Sequence, residues 1–91
     1  MDAKQFQRIA KALAEPRRFE ILERIAKCKN GDVACSELRC ACPISAATLS
    51  HHLKELSKAG LIEIRRERQY AHLKLRRDVW RKYLAHLRQL A

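Results

Sequence analysis

The chain has little glycine, proline or aromatic character. Two Gly, two Pro and 5% Phe, Trp and Tyr among 91 residues exclude collagen-like, disordered and glycine-linker architectures. No run approaches the ~20 apolar residues a membrane-spanning helix needs. The opening Met1-Asp2-Ala3-Lys4-Gln5-Phe6 lacks the apolar stretch of a secretory signal. The chain is therefore read as cytoplasmic, with its four cysteines as thiols rather than a disulfide framework. Acidic residues are also few, ten against twenty Lys and Arg. There is no Cys-x-x-Cys, no glycine-rich phosphate loop and no pair of acids set for general acid–base work, so an enzyme is not expected.

What is present is a net charge of +10, a field that draws polyanions. A basic architectural, ribosomal-style or membrane-surface protein would share it. The length suits a single domain, taken as residues 1–91.

Periodicity gives the element order. Asp2 suits an N-cap, and Phe6, Ile9, Ala10 and Leu13 fall at helical spacing over 4–14. Pro16 fits the first turn of a second helix, with Ile21, Leu22 and Ile25 as its apolar stripe. Lys29-Asn30-Gly31-Asp32 is a turn, and Ser36–Cys42 reads as a short third helix ended by Pro43. Ser45 would cap a fourth helix running to Lys58, with Leu49, Leu53 and Leu56 inward and Ala59-Gly60 closing it. The spacing then changes to two. Leu61–Ile64 and Tyr70–Leu75 read as a hairpin with Arg65–Gln69 as its basic tip, followed by a helix over 78–90. The expected class is mainly α with a small β-hairpin, a winged helix-turn-helix in the order ααααββα.

Residues 35–58 fit a helix-turn-helix. With the leucines inward, Ala46, Ala47, Thr48, Ser50, His51 and Lys54 lie on the other face of the fourth helix. Small and hydrogen-bonding residues near a helix N-terminus are what close approach to base edges requires. Arg65, Arg66, Arg68 and Gln69 would reach phosphates or the minor groove beside it. Double-stranded DNA is the expected partner. A salt-sensitive DNA-binding architectural protein without an effector stays open as the second reading.

The run Ala12-Leu13-Ala14-Glu15-Pro16-Arg17-Arg18-Phe19-Glu20-Ile21-Leu22 resembles the second-helix signature of the arsenic-repressor (ArsR/SmtB) family. Ser45-Ala46-Ala47-Thr48-Leu49-Ser50-His51-His52-Leu53-Lys54-Glu55-Leu56, followed by Ala59-Gly60-Leu61-Ile62, resembles its recognition helix and wing entry. The resemblance covers nearly the whole chain. It implies a homodimeric repressor on a palindromic operator, released when an effector binds. It singles out Ser45, Ala46, Ala47, Ser50 and His51 for groove contacts. It also places the terminal helices, within 1–15 and 76–91, at the dimer interface, where Phe6, Trp80, Tyr83, Leu84 and Leu87 would serve.

The effector reading rests on Cys28, Cys35, Cys40 and Cys42. Arsenic-sensing relatives carry Cys-x-Cys-x-x-Cys here, whereas this chain has Cys35-x4-Cys40-x-Cys42. On one unbroken helix Cys35 and Cys42 would stand ~10 Å apart, and Cys40 would point ~140° away from Cys35. A thiol site therefore needs the helix to end early, or a contribution from Cys28. The candidate ligands are arsenite first, then a dithiol or persulfide switch, then zinc; core packing is the alternative. The family's zinc site on the last helix is not expected, because Asp78 and His86 lack their partner histidines and Gln89 stands at one of those positions. His52 and His72 are read as surface residues.

Overall fold

The computed structural model describes residues 1–91. Five helices carry the chain: α1 (Ala3–Leu13), α2 (Pro16–Lys27), α3 (Cys35–Ala41), α4 (Ala46–Lys58) and α5 (Arg77–Arg88). Three strands, β1 (Asp32–Ala34), β2 (Ile62–Glu67) and β3 (Tyr70–Leu75), form one antiparallel sheet in the order β1-β3-β2. No helix is long and apolar enough to cross a membrane.

The helix boundaries follow local chemistry. The Asp2 carboxylate accepts from the Gln5 amide at 2.8 Å, and that of Glu15 accepts from the Arg18 amide at the same distance. These side chains satisfy N–H groups that a helix start leaves free, with Pro16 at the first position of α2. α4 ends in a Schellman closure. Gly60, at φ +85°, lets its own N–H reach the Ser57 carbonyl at 3.0 Å and the Leu61 N–H reach that of Leu56 at 3.1 Å. Leu56 and Leu61 are both fully buried, so the same turn that stops α4 seats the residue leading into β2 in the core.

The core lies where α1, α2, α4 and the sheet meet. Ile9, Ile25, Leu49, Leu56, Leu61 and Leu73 are almost completely buried there. Truncating such a leucine to alanine would cost about 2–5 kcal/mol.

Two elements differ from the sequence reading. Asp32–Ala34, read as a turn and loop, is a strand pairing Val33 with Leu73, so the expected hairpin is a three-stranded sheet with β3 at its centre. β2 also runs on to Glu67 rather than stopping at Ile64. Arg65 pairs with His72 and Arg66 with Ala71, leaving only Arg68 and Gln69 in the turn, with Arg68 at φ +54°. Arg65 and Arg66 are therefore strand residues, and alternation sends them to opposite faces.

Candidate nucleic-acid interface

α4 buries Leu49, His52, Leu53 and Leu56, one stripe at three- and four-residue spacing. That leaves Ala46, Ala47, Thr48, Ser50, His51 and Lys54 all exposed, as the sequence predicts. Its N-terminus points free main-chain amides outward and favours negative charge. Ser45 is exposed too, but its hydroxyl is already engaged. It accepts from the Thr48 amide at 3.1 Å and donates to the Thr48 hydroxyl at 2.8 Å. Ser45 and Thr48 thus hold the helix start, and Ser50 and His51 are the uncharged polar side chains left free on the outer face.

The wing stands beside this helix. Arg66 lies on the sheet face that carries Ile64, Ala71 and Leu73, and with Lys54 it lines a cleft between β2–β3 and α4. Arg65 takes the other face, where its guanidinium meets the Glu63 carboxylate at 4.0 Å. The two arginines thus alternate along β2, with Arg66 on the side facing α4, although both also line the cleft toward the wing tip. Arg68 and Gln69 sit exposed at the turn. Sequence reasoning missed Arg39 of α3 and Lys58 at the end of α4, which line the same cleft. Arg39 was legible only as an isolated cation on a seven-residue helix whose rotation the sequence did not set.

On the inner side of α4, His52 is buried instead of lying at the surface. Its Nδ1 accepts from Arg18 Nε at 3.3 Å, and its Nε2 stands 3.7 Å from the Glu15 carboxylate. Arg18 also donates to the Ala12 carbonyl at 3.4 Å, so one guanidinium ties α1, α2 and α4 together. Burial holds His52 below the usual imidazole pKa and outweighs the opposing pull of Glu15, so the ring is neutral near neutral pH. His72 is an exposed partner of Asp32.

The four thiols do not assemble. Cys35 opens α3 and lines the cleft under the wing, Cys40 is exposed, and Cys42 turns into the core as α3 stops. Cys28 follows α2, and its Sγ–H donates to the Arg24 carbonyl at 3.1 Å. No group of three or more His, Cys, Asp or Glu side chains is placed to hold a metal ion. Cys28, Cys35, Cys40 and Cys42, the expected arsenite or zinc set, therefore form no three-donor cluster within the single chain. α3 does end early, but its end carries Cys42 inward and leaves Cys40 outside.

At the opposite end, α1 packs on α5. The Phe6 ring lies 5.1 Å from that of Tyr83 and stacks on His86 at 4.1 Å. Tyr83 is buried inside the chain, and Phe6 and Trp80 are half-buried. Leu84, Leu87 and the following Leu90 remain 43%, 40% and 73% exposed. Of the five side chains expected to form a dimer interface, Leu84 and Leu87 are free to do so, while Tyr83 already belongs to the core.

Residues 13–65 match the family described as a helix-turn-helix domain. The chain is 33% identical over 76 residues to the uncharacterized HTH-type transcriptional regulator YceK of Bacillus subtilis, covering 84% of this chain and 75% of that one. It is 40% identical over 68 residues to the HTH-type transcriptional regulator Rv0324 of Mycobacterium tuberculosis, 72% of this chain but only 29% of that longer protein. Among solved structures it superposes on the homodimeric winged helix-turn-helix DNA-binding domain of Mb0332 from Mycobacterium bovis, described as a possible ArsR-family transcriptional regulator. The TM-score is 0.74 at 32% identity, over 92% of this chain and 76% of that one. An ArsR-like transcriptional regulator from Rhodococcus sp. RHA1 has the same fold, with a TM-score of 0.82 at 22% identity over 96% and 79% of the two chains.

Proposed function

The chain belongs to the ArsR/SmtB family of winged helix-turn-helix transcriptional regulators, and on that premise we propose that it is a repressor that binds a palindromic operator as a homodimer. The carrying observation is the exposed stripe of Ala47, Ser50, His51 and Lys54 on the recognition helix, flanked by Arg66 of the wing. The alanines let the helix backbone approach the major groove. Ser50 and His51 offer donors and acceptors to base edges, and Lys54 and Arg66 meet phosphates. The homodimeric state of the Mb0332 domain and the uncovered leucines of α5 support pairing through the terminal helices. Two such heads related by a two-fold axis match an inverted repeat.

The test is fluorescence anisotropy on DNA from the gene's own upstream region against random DNA. A repressor prefers its operator by ~10³ or more. Ser50→Ala or His51→Ala should each remove about 1–3 kcal/mol of that preference and leave random-DNA binding nearly unchanged. No preference in the wild type would favour the architectural reading. Equal losses on both DNAs would overturn the recognition-helix assignment.

A further inference from the structure

The cleft between the wing and the recognition helix has a shape that phosphate contact does not account for. It encloses about 400 Å³, at the lower end of the range of pockets that hold small molecules. Its floor is apolar and belongs to the core: Leu49 and Leu53 from α4 and Leu73 from β3, all buried, with Ile64 beside them. Its rim is cationic, with Arg39, Lys54, Lys58 and Arg66. No Asp or Glu lines it. Lys58 is engaged by Glu55 at 3.7 Å, but Arg39, Lys54 and Arg66 take part in none of the protein's ion pairs.

The other large clefts lack this combination. The adjoining one toward the wing tip, which shares Cys35, Arg39, Arg66 and Ala71 with it, includes Asp32 and Glu67. The one beside α1 gathers Lys4, Arg8 and Lys11 but includes Glu55 and has only Ala12 as apolar lining. A DNA phosphate carries charge with no apolar body, so it meets the rim of the wing cleft and leaves its apolar lining of Ala46, Ile64 and Ala71 unused.

We propose that this cleft is the effector site and that it takes a small hydrophobic carboxylate, with its apolar body on Ile64, Ala46 and Ala71, directly above the buried Leu49, Leu53 and Leu73, and its head on Arg66 and Lys54. Guanidinium and ammonium groups left without carboxylate partners supply the head contacts, and an arginine fork suits a carboxylate. The inference rests on the DNA-binding reading above, because Ser50, Lys54 and Arg66 serve both surfaces. A bound anion neutralises two of the cations that meet DNA. Ligand and operator therefore weaken each other reciprocally. The effector need not touch a cysteine, which accords with thiols that do not converge.

The experiment is methyl NMR of the free protein titrated with sodium octanoate and, separately, sodium phenylacetate, with octylamine and octanol as controls. Operator anisotropy is measured with the same additives. The proposal expects saturable shifts confined to Ile64, Leu49, Leu53 and Leu73 with at least one carboxylate, the better one distinguishing an aliphatic from an aryl ligand. Saturation should weaken operator binding by about tenfold. Ala71→Phe and Ser57→Phe, which fill the cleft from either wall, should abolish the shifts and keep operator binding. Absence of shifts with both carboxylates, equal shifts with octylamine or octanol, or binding that survives both cleft-filling variants would each overturn the proposal. So would saturation that leaves operator affinity unchanged. A wild type without operator preference sinks the repressor reading instead, and the methyl shifts still report on the cleft.

Discussion

Helices α4 and α5 are nearly equal in length, 13 and 12 residues, and each buries one apolar stripe against the core. Their outer faces are opposite in kind. α4 shows alanine, serine, histidine and lysine to solvent, and its start is fixed by the Ser45 hydroxyl. α5 shows Leu84 and Leu87, with Leu90 beyond its end. A small polar face loses little when it exchanges water for another hydrated polar surface, as a DNA groove is. An exposed leucine face gains only by leaving water. The two ends of one small chain are thus built for different partners, and the shared core couples them.

The sharpest way to break this contrast is to make α5 resemble α4. Leu84→Glu combined with Leu87→Glu changes two exposed side chains, so the protomer should still fold. The expected result is a monomer by sedimentation velocity and a loss of roughly 100-fold or more in operator affinity, because the second half-site no longer binds at high effective concentration. Binding to random DNA should fall far less. A variant that remains dimeric with normal operator affinity would place the interface elsewhere.

The α4 end was the more legible of the two from sequence. Helical spacing located all five helices, and Ser45, Leu49, Leu53 and Gly60 marked the recognition helix, because caps and buried stripes are local chemistry. His52 could have been read as buried, since it completes the stripe of Leu49, Leu53 and Leu56. Its polarity argued for the surface, and only Glu15 and Arg18, more than thirty residues away, make its burial tolerable. β1 was missed because Asp32-Val33-Ala34 has no alternation to show; it is a strand because β3 offers a free edge. The run through Arg65 and Arg66 looked like a loop for its charge, yet pairing with Ala71 and His72 extends the strand. Thiol convergence depended on the rotation of α3 against α2, which no spacing rule supplies.

A second test acts inside the wing, where neighbouring arginines differ by face. Arg66→Ala should weaken binding to operator and random DNA alike, by about tenfold, and reduce the salt slope by about 0.9 for one lost phosphate contact. Arg65→Ala, on the face shared with Glu63, should lower affinity by roughly half that on a logarithmic scale or less. Equal effects of the two substitutions would mean that the wing turns on DNA and that strand alternation does not govern its contacts.

The smallest expected effect joins the two ends through His52. Its ordinary pKa is 6.5, and burial lowers it, against the pull of Glu15 and with help from Arg18, His51 and Arg17. The unfolded chain therefore takes up this proton at higher pH than the folded one. Stability from neutral His52 is complete above 6.5 and is lost as the pH falls through the lowered value. Glu15 is held below its usual 4.5, first by the Arg18 amide at the start of α2, so its own contribution is lost only at more acid pH. Thermal unfolding followed from neutral pH to just above 4.5 isolates the histidine. The melting temperature should decline across that window in the wild type and decline less in His52→Gln, whose amide oxygen can still accept from Arg18 Nε. Protonation also removes the acceptor that Arg18 uses to hold α4 against α2, so operator affinity should fall in the same window, by less than for any DNA-facing substitution. An unchanged slope in His52→Gln would show that the ring is not the group that titrates, and that α4 is held by its leucines alone.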